Sequence, residues 1–154
     1  FDLLIYSGGV SKGKFDYLPA IWNKLGVEQY IHGVAQRPGK PLWFGQDHQN
    51  KTLVFGMPGN PVSSLVCLHK YLLCKKTLNV KIMQDVENNL KLTKFIPVKL
   101  FSHLNAQLEV SPLKIKNSGE FSALAGSDGF IELDPMKKYL AGSDVAKFYP
   151  WRSM

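Results

Sequence analysis

The chain has 154 residues, 45% of them hydrophobic and 20% charged, with 19 basic against 12 acidic side chains for a net charge of +7. That is enough chain to bury a core in one domain or two small ones, and it is too apolar for a disordered tail. The longest apolar stretches, near residues 2–6 and 62–68, fall far short of the roughly 20 residues a spanning helix needs, and the lysines are dispersed rather than striped, so neither a membrane nor a nucleic acid is expected as partner.

Phe1 opens directly into the strand-like Leu3-Leu4-Ile5-Tyr6, a start in mid-element that reads as a piece of a longer protein. This apolar run ends at Ser7-Gly8-Gly9, as a buried strand entering a glycine turn would. Leu18, Ile21, Trp22 and Leu25 then recur at helical spacing and predict a helix over Tyr17–Leu25, with Asp16 as N-cap, Pro19 in the first turn and Gly26 as the stop. Strands are expected around Tyr30–Ala35 and Thr52–Phe55. A second helix is expected over Pro61–Leu78, capped by Asn60, with Val62, Leu65, Val66, Leu68, Leu72 and Leu73 as its buried stripe. Strand, helix, strand, strand, helix is the pattern of an α/β layer.

The chain divides near residues 78–82, after which apolar residues alternate with period two. Phe95–Leu100 and Gln107–Val110 read as antiparallel partners about His103-Leu104-Asn105, and Gly129–Leu133 as a further strand, so the second half suggests a small β-barrel or sandwich. Cys67 and Cys74 lie about two helical turns apart, roughly 10 Å, too far for a disulfide. Free thiols in an apolar segment point to a reducing cytoplasm. His32, His48, His69 and His103 are scattered and carry no ligand spacing.

Three glycine-rich turns carry the chemistry. Ser7-Gly8-Gly9-Val10-Ser11-Lys12-Gly13-Lys14 joins a strand to a helix, where backbone amides, the Ser11 hydroxyl and two lysines favour an oxyanion, although it matches neither the P-loop nor the dinucleotide pattern. Arg37-Pro38-Gly39-Lys40-Pro41 is a stiff bend that holds two cations in fixed places, as oxyanion binding favours. Gly56-Met57-Pro58-Gly59-Asn60-Pro61-Val62-Ser63 is again strand, glycine turn and helix start. Each alone could be no more than a tight or solvated turn. Two of them at strand C-termini of one α/β layer are expected to meet at a common edge, where ligands bind in such sheets.

In order and spacing, these three segments, with Asp16-Tyr17 and Gly45, resemble the molybdopterin molybdenumtransferase family, the molybdenum-insertion enzymes related to the animal scaffold gephyrin. Asn117-Ser118-Gly119, Phe121–Ala125 and Asp128–Leu133 are similar to that family's C-terminal barrel. The resemblance implies a partial three-layer α/β/α, molybdopterin-binding-like domain over residues 1–79 and a small antiparallel β-barrel domain over 80–154. It also implies insertion of molybdate into adenylated molybdopterin with release of AMP, a divalent metal (Mg²⁺), and a homodimeric parent with the site between subunits. Asp16 is then the expected catalytic and metal-holding carboxylate. Ser7, Gly8, Gly9, Ser11, Arg37, Lys40, Pro41, Asn60, Ser63 and Ser122 are the expected substrate-binding residues. Arg37 stands where the family commonly has Lys, and Pro97 where it often has a basic residue, with Lys94 or Lys99 as substitutes. The competing functions are a scaffold that grips partner peptides and a carrier that binds the pterin without chemistry.

Overall fold

A computed structural model of the chain describes all residues except 12, 74, 75, 115–121, 153 and 154, and the side chains of 122 and 123. The first half is β1 (Leu3–Ser7), α1 (Leu18–Lys24), β2 (Glu28–His32), β3 (Gln36–Arg37), β4 (Trp43–Asp47), β5 (Thr52–Met57) and α2 (Pro61–Cys67), which runs on into a π-helical turn, Leu68–Leu72. The second half is β6 (Leu78–Ile82), β7 (Val86–Glu87), β8 (Thr93–Ser102), β9 (Leu108–Pro112), α3 (Ser122–Ala125), β10 (Gly129–Leu133), β11 (Tyr139–Leu140) and β12 (Val145–Pro150). No described helix is long and apolar enough to cross a membrane.

The first sheet has the order β1-β5-β4-β2, with β1 and β5 parallel and the other pairs antiparallel. Successive residues of β5 point to opposite faces, and the two helices divide these faces between them. Val54 packs with Val10, Trp22, Val27 and Trp43 beside α1, while Met57 packs with Leu42 and Cys67 beside α2. This is the three-layer α/β/α arrangement expected from the sequence.

The second sheet runs β10-β12-β6-β9-β8-β3, and an additional β10–β8 pairing closes five of its strands into a barrel. Val80, Ile82, Ile96, Val98, Val110, Ile131, Leu133 and Phe148 fill it, each at most 8% exposed. One of its pairings, β6–β9, is parallel, so the barrel departs from the all-antiparallel expectation at that seam. The short β3 pairs in parallel with β8, which places the middle glycine turn against the barrel wall.

Four local expectations are corrected. The strand β1 is largely exposed in this chain rather than buried, with Leu3, Ile5 and Tyr6 at 43%, 50% and 38%, and β5 is its one sheet partner among the described residues. The second helix ends far short of residue 78: α-helical geometry stops at Cys67 and the π-turn stops at Leu72. The strand expected over Tyr30–Ala35 breaks at Gly33, whose φ of +94° the extended chain cannot continue through. Finally, Asp16 does not cap α1. The cap position is Tyr17, which makes no side-chain bond, and the Asp16 carboxylate turns back to the preceding loop.

Candidate functional site

The parallel pairing of β1 and β5 sets Ser7 opposite Met57, so both strands end together and release their glycine turns at one edge. Gly8 (φ +86°) donates its amide to the Met57 carbonyl at 3.0 Å, and a Cβ on Gly59 would stand only 3.5 Å from the Gly8 Cα. Two turns therefore meet backbone to backbone, at distances where a Cβ would make ordinary contact, so it is the left-handed backbone of Gly8 rather than crowding that calls for glycine there. The Gly8 amide is already spent on the Met57 carbonyl.

The first turn is closed by Asp16. Its Oδ2 accepts the Gly13 amide at 2.9 Å and the Asp16 amide returns a bond to the Gly13 carbonyl at 3.1 Å. A Cβ at Gly13 would lie 2.7 Å from that Oδ2, so the glycine and the carboxylate are specified together. His32 reaches across from β2, its Nε2 3.2 Å from the carbonyl of the buried Val10. Ser11 is exposed at the crest of the loop, and Lys12 lies outside the described residues.

The middle turn is anchored from beneath. The Arg37–Pro38 peptide is cis and Gly39 has φ +96°. The buried Gln36 donates to the Pro38 carbonyl at 3.0 Å and to Cys67 Sγ at 3.6 Å, and accepts from the Tyr71 hydroxyl. Cys67 in turn donates to the Gly39 carbonyl at 3.6 Å. A Cβ on Gly39 would fall 2.5 Å from Gln36 Nε2 and 2.7 Å from Cys67 Sγ. Burial, only partly opposed by the Gln36 bond, pushes the Cys67 thiol up to about 12, and burial pushes Tyr71 to about 12 as well. Both are therefore neutral supports. Arg37 and Lys40 are exposed above them, and Pro41 is half-buried beside Lys40.

The third turn opens α2. The Asn60 side chain accepts the Ser63 amide at 3.0 Å and the Ser63 hydroxyl at 3.2 Å, the capping expected from the sequence. Ser63 is 6% exposed and its hydroxyl serves this cap, while its carbonyl lies 3.5 Å from where a Gly39 Cβ would be. The structure thus sets Gly8 against Gly59, pairs Ser7 with Met57 and sets Gly39 against Ser63, so all three turns flank the first half of α2, while Gly9 faces Leu18 of α1. Ser122 opens α3, and its side chain lies outside the described residues.

Of the two substitutes for a basic residue at Pro97, Lys99 is paired with Asp128 at 3.0 Å. Lys94 is the register partner of Arg37 on the adjacent strand, with its Nζ on the Glu87 carbonyl at 2.9 Å. Gln36 and Tyr71 escaped the sequence analysis, and Cys67 was read there only as a free thiol. Contacts between residues more than thirty positions apart leave no periodic trace, and a buried glutamine before a Pro-Gly turn was the single hint available.

Comparisons with known proteins follow this geometry. Residues 1–78 match the family model described as "Probable molybdopterin binding domain", and residues 79–151 match "MoeA C-terminal region (domain IV)". A protein named molybdopterin molybdenumtransferase from Synechocystis sp. is 53% identical over 98% of the chain, which covers 39% of that relative. One of the same name from Bacillus subtilis is 32% identical over 86% of the chain, which covers 33% of it. The chain thus spans less than two fifths of the length of these curated relatives. A solved molybdopterin biosynthesis MoeA protein from Pyrococcus horikoshii superposes over 99% of the chain and 38% of its own, with a TM-score of 0.76 at 23% identity, a likeness of fold.

Proposed function

Since the chain belongs to the molybdopterin molybdenumtransferase family, we propose that the full-length protein inserts molybdate into adenylated molybdopterin and releases AMP, as a cytoplasmic homodimeric enzyme. The observation that carries this reading is the gathering of the three glycine turns around the first half of α2, with Arg37 and Lys40 exposed on one and the half-buried Asp16 on another. Molybdate is a tetrahedral dianion. Cations on a rigid backbone complement it at small entropic cost, and the planar fork of Arg37 can give two parallel bonds where a lysine gives one.

In this proposal the work is divided between the turns. Arg37 and Lys40 hold the oxyanion, with Pro41 stiffening their spacing. Ser11 and the open backbone at Gly8 and Gly9 receive the phosphates of the adenylated pterin. Asn60 and Ser63 act from the rear. Their mutual bonds fix the start of α2, which supports both neighbouring turns. Asp16 keeps one carboxylate oxygen on the Gly13 amide, so the first turn holds its shape while the carboxylate faces the loop.

Among the described residues no three acidic, histidine or cysteine side chains converge as a metal cage. That fits magnesium, which binds through one or two carboxylates together with substrate phosphates and retains several waters. Asp16 would hold it. Such an ion supplies neutralisation of charge on the phosphoanhydride oxygens.

The test uses the full-length chain, adenylated molybdopterin and Mg²⁺, with and without molybdate. Wild type is expected to release AMP faster when molybdate is added, and Asp16→Asn to lose at least about a hundredfold of that rate, the scale of removing one preorganised electrostatic contact. Equal release from both proteins, or none while pterin binding persists, would overturn the enzyme reading in favour of a carrier or scaffold.

A further inference from the structure

Lys70 and Tyr71 are neighbours in the π-helical turn, yet they serve different structures. Lys70 Nζ donates to Glu132 Oε2 at 2.7 Å and to the Tyr149 hydroxyl at 2.6 Å, and that hydroxyl donates to the same Glu132 oxygen. The ammonium also stands 4.8 Å from the centroid of the Tyr149 ring and 5.9 Å from that of Phe95. Both charged side chains are mostly shielded, at 21% and 23% exposed. The adjacent Tyr71 instead donates to Gln36, the buried anchor of the middle turn.

These contacts form a closed circuit. From Lys70 it passes to Glu132 on β10, whose register partner on β8 is Phe95. Two residues earlier on β8, Thr93 and Lys94 pair with Gln36 and Arg37 on β3. Gln36 then returns to Tyr71 and Cys67, on the same helical segment that carries Lys70. The middle turn is therefore held between two supports, the barrel wall and the end of α2. The Lys70–Glu132–Tyr149 triangle ties one support to the other. Successive side chains diverge by about 100° on a helix and nearly as much on a π-turn, which lets Lys70 and Tyr71 reach different structures, and π-turns are frequent at functional sites.

We propose that Lys70 is a positioning residue for oxyanion binding: by tying the π-helical turn to β10 and β12 it fixes the spacing at which the Gln36–Lys40 turn presents Arg37 and Lys40. Nothing in the triangle touches the proposed ligand. Its effect is transmitted through Gln36 and the β3–β8 pairing. Removing the ammonium leaves the shielded Glu132 carboxylate with the Tyr149 hydroxyl but without its counter-charge, and frees the two supports to shift. In the proposed function Arg37 and Lys40 contact the oxyanion itself, so loosening the turn that presents them raises the cost of ordering it and weakens oxyanion binding.

The experiment compares the full-length wild type with Lys70→Met, Lys70→Arg and Glu132→Gln, and has two arms. Hydrogen exchange is followed in the peptides covering 33–42 and 52–57. In Lys70→Met and Glu132→Gln the first is expected to exchange roughly three- to tenfold faster, the range of coupling between contacting residues, with the second unchanged. Lys70→Arg, which can still pair with Glu132, is expected to retain most of the protection. In the other arm, the molybdate concentration that half-saturates AMP release rises by a similar factor while the rate at saturation holds. This second arm rests on the function proposed above, and the first does not. A wild type indifferent to molybdate would defeat that function, and the exchange arm would still decide the positioning role. Unchanged exchange in 33–42, or equal loosening of both peptides, would overturn it, and should Lys70→Met fail to fold, Glu132→Gln decides alone.

Discussion

The barrel and the four-stranded sheet are built from similar apolar residues and use them differently. In the barrel, closure through the β10–β8 pairing removes the free edge, and Val98, Val110, Ile131 and Phe148 are entirely buried. Among the described residues of the sheet, β1 pairs only with β5 and β2 only with β4, and nearly every residue of each is exposed in this chain, which spans less than two fifths of the curated relatives named above. An apolar cavity of about 460 Å³ remains open beside α1, lined by Leu4, Tyr6, Leu18, Ile21, Trp22 and Leu25 among others. The glycine turns sit at one edge of this sheet, and the middle one is braced against the closed barrel through β3. The two halves therefore divide labour at that turn: one supplies the loop and the other part of its frame.

The largest effect expected from this contrast is at the barrel core. Phe148→Ala removes a ring that is 0% exposed and should cost about 3–5 kcal/mol. Leu104→Ala, in the exposed turn between β8 and β9, should cost less than about 0.5 kcal/mol. Urea titrations of the two variants measure the gap. Equal losses would break the contrast between the barrel's filled interior and its surface.

Next in size is the middle turn. Gly39→Ala must adopt a left-handed backbone and drive its Cβ against Gln36 and Cys67, while Gly26→Ala faces the same backbone demand (φ +81°) with nothing within 4 Å. The first is expected to lose about 2–4 kcal/mol and the second about 1–2 kcal/mol. The difference between their thermal midpoints isolates the packing of the turn on α2. A difference near zero would mean that Gln36 and Cys67 yield freely and do not hold the turn.

How much of this was legible follows from which contacts are local. Asn60 could be read as a cap because the group it bonds, Ser63, lies three residues on. The three turns could be read because glycine and proline mark backbone demands directly in the sequence. Asp16 was read as the cap of α1 and bonds backward instead, since Gly13 behind it and α1 ahead of it both offer amides to a carboxylate at that position. The exposure of β1 was illegible because Leu3-Leu4-Ile5 reads the same in a strand with one sheet partner as in a strand with two. β4 was missed where Gly45 interrupts its alternation, a glycine required because a Cβ there would lie 2.4 Å from the Glu28 carbonyl of β2. Lys70 and Glu132 are 62 positions apart, so the tie between them belongs to tertiary structure alone.

The Asn60 cap gives a smaller effect that joins the two regions. Asn60→Ala frees both Ser63 donors and should cost about 1 kcal/mol by urea titration. Because Ser63 lies under Gly39, the half-saturating molybdate concentration of the full-length chain should rise with it. A stability loss with no change in molybdate response would separate the third turn from the second.

The smallest expected effect is electrostatic and compares one carboxylate from each half. Burial alone would raise the Asp128 carboxyl in the barrel, but the Leu100 amide and then Lys99 outweigh it and hold the group below its ordinary value. In the sheet, the Asn50 side chain and amide lower Asp47 at the β4–β5 turn. A carboxyl whose folded value is depressed binds fewer protons folded than unfolded, so its contribution is complete above the unfolded value of about 3.9 and disappears as pH falls through the folded one. Asp128→Asn and Asp47→Asn should therefore each differ from wild type at pH 7, with both differences closing below about pH 4. Asp128 bonds a backbone amide and an ammonium brought from β8, whereas Asp47 bonds within its own turn. Its difference should be the larger of the two in urea midpoints at pH 7, 5 and 3, and a gap for Asp128→Asn that persists unchanged at pH 3 would show that the Leu100 amide needs the oxygen but not its charge.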